Sequence, residues 1–477
     1  MRAVHLLLCT IKRQGRDFAP AWLLFVFFIL GTGLLPNIGM MQYDIKRALF
    51  LVFLLVGFIY LSLAAKPHKV SIDNWGSVFW FLFVLAQLVN AYFINDSLYS
   101  FLDTLLLMAI SVAFIGYLRV TRRVPALKAY LLLALVYGLS AYYLFVLLQY
   151  IFFLILPVPW TIHLLSWPAF VNVRFLNQLM VLIFPLVLFA QCFASTPRLL
   201  QWLLSFAAVM TIALVLNSNG RGALAMMVFE SLLLMVLVRF TAYEPKPFRV
   251  RLLTLWLAGC VVFAVFFIWI PSALLELFQA GPVRLSESVR FRIWSEAIEL
   301  WKDSIWWGYG GMSYADKGVG VSFRFGHPHN SLVQILYEYG LIGLVSLALA
   351  FLFLLKKVIS YVVAAPVDSL FVPVLVSLLG GAGLSLVSGV IVMPFSQLTL
   401  FVLLLVLVSI VYEPAETTAT EFRFPLKVSV SAVMLVGSVV FCLLAGFSYL
   451  SWLHTMGQDV INFTVGPRFW LVGSLDI

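Results

Sequence analysis

The run Trp75-Gly-Ser-Val-Phe-Trp-Phe-Leu-Phe-Val-Leu-Ala-Gln-Leu-Val-Asn-Ala-Tyr-Phe-Ile94 contains no charged residue. A stretch of about 20 mostly apolar residues has the length an α-helix needs to cross the hydrocarbon core of a bilayer. Lipid offers backbone N–H and C=O groups no partner, so a segment immersed in it must close its own hydrogen bonds. The run is too long and too uniformly apolar for an alternating barrel strand, which leaves the helix. Outward from 75–94, the same reading places spanning cores at 22–35, 48–65, 98–118, 128–150, 179–194, 199–216, 223–238, 252–270, 341–355, 370–390, 398–411 and 428–450. The expected fold is therefore all-α, a polytopic integral membrane protein of about thirteen transmembrane helices.

Composition agrees with that reading. Of 477 residues, 63% are hydrophobic and 10% charged, against about half apolar and a quarter charged in soluble domains. So many apolar segments exceed what one cleavable signal peptide supplies, and the first is read as a retained span. The net charge of +10 is scattered in small groups between spans, a topology signal and not the continuous basic stripe of a nucleic-acid binder. Cys9, Cys192, Cys260 and Cys442 lie in or beside spans with no short pairing interval, so neither a disulfide framework nor a zinc site is indicated.

Positive residues gather on the cytoplasmic side of short loops. With the N-terminus inside, that set holds Lys12, Arg13, Arg16, Lys66, Lys69, Arg119, Arg122, Arg123 and Lys128, then Arg198, Arg239, Lys246, Arg249 and Arg251, and later Lys356, Lys357, Arg423 and Lys427. The opposite short loops hold only Lys46, Arg47, Arg174, Arg221 and Arg468. An odd number of spans then puts the C-terminal tail outside. The exception is the external segment 271–330, which carries Arg284, Arg290, Arg292, Lys302, Lys317 and Arg324. Long loops escape the charge rule and usually hold function. Within this one, Val289, Ile293, Trp294, Ile298 and Trp301 recur at helical spacing ahead of Gly308-Tyr-Gly-Gly311, which predicts a helix over 287–305 along the membrane surface.

Four groups of residues on the outer face can carry chemistry. In Asn217-Ser-Asn-Gly-Arg-Gly222 a polar turn sets Arg221 at the outer end of a span, where it pairs with an anion or snorkels to the interface. In Ser288-Val-Arg-Phe-Arg-Ile-Trp294, Arg290 and Arg292 stand two apart and cannot share one helical face, so at most one of them faces a site and the other is solvated. In Gly326-His-Pro-His-Asn-Ser331, His327 and His329 share a turn at the mouth of a helix; an imidazole accepts a proton near neutral pH and suits the base for a hydroxyl nucleophile. The alternative is that Asn330 or Ser331 caps the next helix and the histidines are polar loop residues. No Cys, Asp or Glu at matching spacing completes a metal site with them. The fourth group is Phe170-Val-Asn-Val-Arg-Phe-Leu-Asn-Gln178, where Arg174 and Gln178 precede an otherwise apolar helix and either line a headgroup or sugar cavity or anchor the interface. Glu230, inside the eighth span, is either a functional carboxylate or a partner for a neighbouring helix's polar group. Several arginines and one base at one surface suit a diphosphate, since guanidinium matches phosphate oxygens with two parallel hydrogen bonds.

In this order, the Ser218-Asn-Gly-Arg-Gly222 turn, the 290–294 interval with Gly308-Tyr-Gly-Gly311, and His327-Pro-His-Asn-Ser-Leu-Val-Gln-Ile-Leu-Tyr-Glu-Tyr-Gly-Leu-Ile-Gly343 resemble the bacterial O-antigen ligase superfamily. That superfamily takes in lipid A-core ligases, protein O-oligosaccharyltransferases and related polysaccharide polymerases. The resemblance covers 216–343, and the N-terminal half is similar only in being apolar and polytopic. It implies a GT-C-like glycosyltransferase of the bacterial inner membrane with a periplasmic active site and neither metal nor other cofactor. Glycan would pass, with inversion, from an undecaprenyl-diphosphate carrier to a hydroxyl of lipid A-core or of a Ser/Thr in a pilin-like protein. By position, Arg221 and Arg290 would bind diphosphate, His329 would activate the acceptor and His327 would support it; Asn330, Arg174, Arg292 and Gln178 are further supporting candidates from the reading of the residues and not from the family pattern.

The same resemblance divides the chain into N-terminal transmembrane helices (1–216), helices that begin the ligase-like core (217–270), a large periplasmic catalytic loop (271–340), and C-terminal helices with a periplasmic tail (341–477). Arg292 departs from the family spacing. The added last span and the 172–178 stretch are similar to what protein-modifying members carry. A polymerase joining repeat units would share every catalytic residue with a ligase. A transporter or lipid flippase, the reading from another class, would call for broken helices, and Gly380-Gly-Ala-Gly383 is one place for a break.

Overall fold

Segments that must satisfy their own backbone form helices, and every regular element among the described residues is helical. The computed structural model describes residues 18–31, 41–63, 75–95, 97–155, 170, 172–190, 198–240, 245–271, 287–316, 326–364 and 368–412. The expected span at 428–450, the tail beyond it, and Lys12, Arg13, Arg16, Lys66, Lys69, Arg284, Lys317 and Arg324 lie outside these residues.

The helices are α1 (Phe18–Ile29), α2 (Met41–Leu63), α3 (Trp75–Val89, extended by a wide π turn over Asn90–Ile94), α4 (Leu98–Arg123), α5 (Ala126–Ile155), α6 (Val173–Ala190), α7 (Arg198–Asn217), α8 (Arg221–Leu237), α9 (Pro245–Val262), α10 (Glu287–Trp301), α11 (Ser331–Ala364), α12 (Phe371–Ser385) and α13 (Pro394–Val411). Among the described residues eight helices are long and apolar enough to cross a membrane, and α1, α7 and α12 are apolar but shorter. Each expected core up to 398–411 falls on one of these helices, so the chain is an all-α polytopic membrane protein.

α6 is the axis of the bundle. Its span is 83% buried, against 17% for those of α9 and α11, so protein surrounds α6 while the other two face outward. α7, α8, α12 and α13 all pack on it. Lipid tails are as apolar as leucine, so helices in a bilayer associate through close packing at small residues. Gly57 of α2 accordingly meets Ala113 of α4, and Gly381 of α12 receives the Leu182 side chain of α6. Gly380-Gly-Ala-Gly383, a possible break in the sequence reading, lies inside the continuous helix α12, where Gly380 and Gly383 take the side chains of Glu230 and Met226 of α8. The Glu230 carboxyl is fully buried and has no hydrogen-bond partner among the described residues. The helix expected to run to residue 390 stops at Ser385, and 386–393 form an irregular turn before Pro394 starts α13.

The segment that follows α10 is spliced into α11. At Gly340 the backbone turns to φ 63°, ψ −168°, which interrupts the helix at its first third. The groups this releases pair with the turn after α10. Tyr309 and Gly310 N–H donate to the carbonyls of Tyr337 and Glu338 (3.0 and 2.8 Å), while Leu341 and Ile342 N–H donate to those of Ile305 and Trp306 (2.9 and 3.1 Å). The α3–α4 hairpin holds the turn from the other side: Asn90 Nδ2 donates to Trp307 O (2.6 Å) and Ser100 Oγ to Gly311 O (3.1 Å). Tyr339 OH donates to Asp103 Oδ2 (2.6 Å). A side chain at 340 would run into the Trp306 carbonyl and adopt a positive φ. Gly340→Ala is therefore expected to lower stability by about 2–4 kcal/mol, read as a fall in the thermal midpoint of detergent-solubilised protein. An unchanged midpoint would show that the splice contributes nothing to holding the loop.

Candidate functional site

The axial helix opens the site. Asn172 Oδ1 accepts the Arg174 N–H at 2.9 Å, closing the first turn of α6, and Arg174, Asn177 and Gln178 follow within its first two turns. Gln178 is buried; its Nε2 donates to Ser388 Oγ (2.8 Å) and its Oε1 accepts from Ser396 Oγ (3.0 Å). The turn that carries Arg221 fastens to the same end of the bundle. Asn219 takes φ 53°, Gly220 lies against the Asn177 amide and Gly222 against Val387, so exposed Arg221 starts α8 beside the start of α6.

α10 presents two opposed faces. Ile293 and Ala297 are buried with Tyr314 and with Tyr337 of α11, and Trp294 packs on that cluster. Arg290 stands one turn before Ile293 and Trp294 and shares their face. Arg292 points away, its side chain 62% exposed and paired with Glu296 Oε1 at 3.0 Å. The two arginines diverge as their spacing requires, and the inward one is Arg290. Its Nε has no hydrogen-bond partner among the described residues.

The histidine turn is held between α10 and the 386–393 segment. Trp294 Nε1 donates to Pro328 O at 2.9 Å. His327 is buried with its ring against Gly389, and its Nδ1 accepts the His329 N–H at 3.1 Å, which requires an unprotonated Nδ1. The two imidazoles meet edge to face at 4.2 Å between centroids. His329 adopts φ 57°, a left-handed conformation that costs a non-glycine residue about 1–3 kcal/mol and tends to persist where the surroundings impose it for function. Asn330 is the cap of α11: its Oδ1 accepts the N–H groups of Leu332 (2.9 Å) and Val333 (3.1 Å). The capping alternative thus applies to Asn330, while both histidines sit in a built environment.

Arg174 and Arg290, far apart in sequence, act electrostatically on each other and on His329. His329 is half-buried beside the buried His327. That loss of water, followed by the positive fields of His327, Arg174 and Arg290, lowers its pKa well below 6.5. The arrangement offers a neutral imidazole beside two guanidiniums, which is suited to accept a proton near a multiply charged anion.

Sequence reasoning gave Arg174 only a supporting place and missed the 386–393 segment. That segment touches Gly222, Gln178 and His327 through Val387, Ser388 and Gly389. Ser388-Gly389 ahead of Pro394 is a turn signal that could have marked it. Buried Arg47, at the start of α2, also reaches the segment, with Nη2 donating to Val392 O at 2.9 Å and Nη1 to Gln397.

Residues 206–348 match the family model described as O-antigen ligase. The matched interval runs from α7 into α11 and contains Arg221, Arg290, His327 and His329, while Arg174 and the 386–393 segment lie beyond it. No curated protein matches the chain.

Proposed function

We propose that this chain, which carries the domain of the enzymatic family of O-antigen ligases and related polymerases, transfers glycan in the periplasm from an undecaprenyl-diphosphate carrier to an acceptor hydroxyl. Arg290 and Arg174, with Arg221 at the rim, hold the diphosphate. His329 takes the proton of the acceptor hydroxyl, whose oxygen attacks the anomeric carbon opposite the diphosphate. The bond from that carbon to the phosphate oxygen breaks, its electron pair leaves with the carrier diphosphate, and the configuration inverts. Guanidinium groups neutralise the charge that develops on the leaving oxygen in a site poor in water, where such stabilisation is strongest. His327 sets the backbone of His329. The N-terminus and the loops that carry Arg122, Arg123, Lys356 and Lys357 are cytoplasmic in the same reading, which places the enzyme in the bacterial inner membrane.

The observation that carries the reading is that Arg174 and Arg290 act on each other and on the neutral His329 imidazole, a pair of like charges that an anion would relieve. The chain in lipid nanodiscs is tested with undecaprenyl-diphosphate-linked glycan and three acceptors: lipid A-core, pilin, and a second carrier-linked repeat unit. Transfer to either of the first two identifies a ligase and its acceptor. Transfer only to the third identifies the polymerase that the family also includes. A donor left intact with all three would defeat the proposal.

The pH profile follows from the His329 environment. The base must be neutral, and its pKa lies well below 6.5, so kcat/KM stays level as pH falls through 6.5 and drops only in more acid solution. Arg174→Gln removes one like charge and moves that drop to higher pH. A parent profile already falling at pH 6.5 would take the base role away from His329.

A further inference from the structure

The turn over 386–393 has no part in the steps above and lies beyond the family interval, yet it meets three parts of the site in consecutive residues. Val387 lies against Gly222, the neighbour of Arg221. Ser388 Oγ accepts from Gln178 Nε2 at 2.8 Å, on the helix that carries Arg174. Gly389 lies against the ring of buried His327. The turn is fastened on both sides of Gly389. Gln178 grips it at Ser388. Further along, Gly389 O accepts the Val392 N–H (3.2 Å), Arg47 Nη2 of α2 donates to Val392 O (2.9 Å), and Gln397 Nε2 of α13 donates to Ile391 O (2.8 Å).

A Cβ at position 389 would stand 2.5, 2.6 and 2.9 Å from Cε1, Nε2 and Nδ1 of His327, closer than a methyl group packs on a ring. Either the turn or the ring must then move. The turn is tied at Ser388, Ile391 and Val392, while the imidazole is the end of a side chain with two torsions of its own. The ring gives way. Its place governs His329, because His327 Nδ1 accepts the His329 N–H at 3.1 Å and the two rings meet at 4.2 Å between centroids. The left-handed backbone at 329 persists only under such outside constraint. A misplacement of about 1 Å at a reacting group can cost about a hundredfold in rate.

We propose that Gly389 is a positioning residue: the space left by its missing side chain seats the His327 ring, which sets the backbone and hence the imidazole of His329. The inference rests on the transfer reading above, and its test has one arm that needs no turnover. In that arm the full chain, carrying isotope-labelled histidine in nanodiscs, gives the ring signals of His327, assigned by their loss in His327→Ala. These signals are expected to shift in Gly389→Ala. They should shift also in Ser388→Ala, which loosens the turn without adding an atom and serves if Gly389→Ala does not fold. In the second arm Gly389→Ala should lower kcat by about 10- to 100-fold and leave the affinity for bare carrier, sugar-free undecaprenyl diphosphate, unchanged. His327→Ala removes the ring that the new methyl would strike, so the double variant should turn over as His327→Ala alone does. A role confined to packing would multiply the two losses. Unmoved ring signals, an unchanged kcat, or losses that multiply would overturn the positioning role. The transfer reading fails separately, if the parent leaves the donor intact with all three acceptors while the ring signals still shift.

Discussion

His329→Asn is expected to stop transfer while leaving the amount of folded, membrane-inserted protein unchanged. Asparagine tolerates the left-handed backbone that position 329 adopts, so this substitution removes the imidazole without adding strain. Alanine would mix the two effects. A positioned general base contributes about 10²- to 10⁴-fold, and kcat for transfer should fall by that amount at saturating donor and acceptor. The affinity for bare carrier should change little, because the proposal assigns the diphosphate to the arginines and not to His329. The thermal midpoint checks the backbone argument and turnover checks the chemistry. An Asn variant with parental turnover would show that the acceptor loses its proton elsewhere.

The second large effect belongs to Arg290. Removing a charge-assisted hydrogen-bonding group costs about 1.5–3 kcal/mol, so Arg290→Ala should lower kcat/KM for the donor by about 10- to 150-fold. Arg290→Lys should recover little, because an ammonium cannot present two parallel donors to a phosphate. Arg292→Ala is the matched control. It lies two residues away with the same charge, but its exposed pair with Glu296 belongs to a class worth about 0–1 kcal/mol. If the two alanine variants lost activity equally, the loss would come from the net charge of α10 and not from the inward guanidinium. Arg174→Ala should resemble Arg290→Ala, and the double variant should fall short of the product of the two, since each loss relieves repulsion on the other.

Much of this architecture was legible in the sequence because membrane solvation is a local constraint. A run such as 75–94 has one way to satisfy its backbone, and no tertiary contact can overrule it. The split between Arg290 and Arg292 was readable for a similar reason: two positions two apart on a helix diverge, and Ile293 and Ala297 settle which face turns inward. Asn330 as a cap was one of two readings its position allowed. The role of Arg174 was harder, because its neighbours on His329 come from residues more than a hundred positions away. The first half of the turn at 386–393 was hidden at the end of the expected span 370–390, because Leu386, Val387 and Val390 are as apolar as the helix before them. The break at Gly340 was half visible: the expected core began at 341, but the preceding residues are helical too, and the splice depends on a turn some thirty residues upstream.

The splice also bears on how substrates arrive. Four amide protons at 309, 310, 341 and 342 are shared between the loop and the broken helix, so withdrawing the stretch 305–310 means breaking those bonds in the same event. A swinging flap needs a free edge, and this stretch has none. Amide exchange at these four positions should be slow and concerted, and unaffected by turnover. On the transfer reading proposed above, a lipid-linked donor would therefore reach His329 around a fixed parapet and not beneath a moving lid.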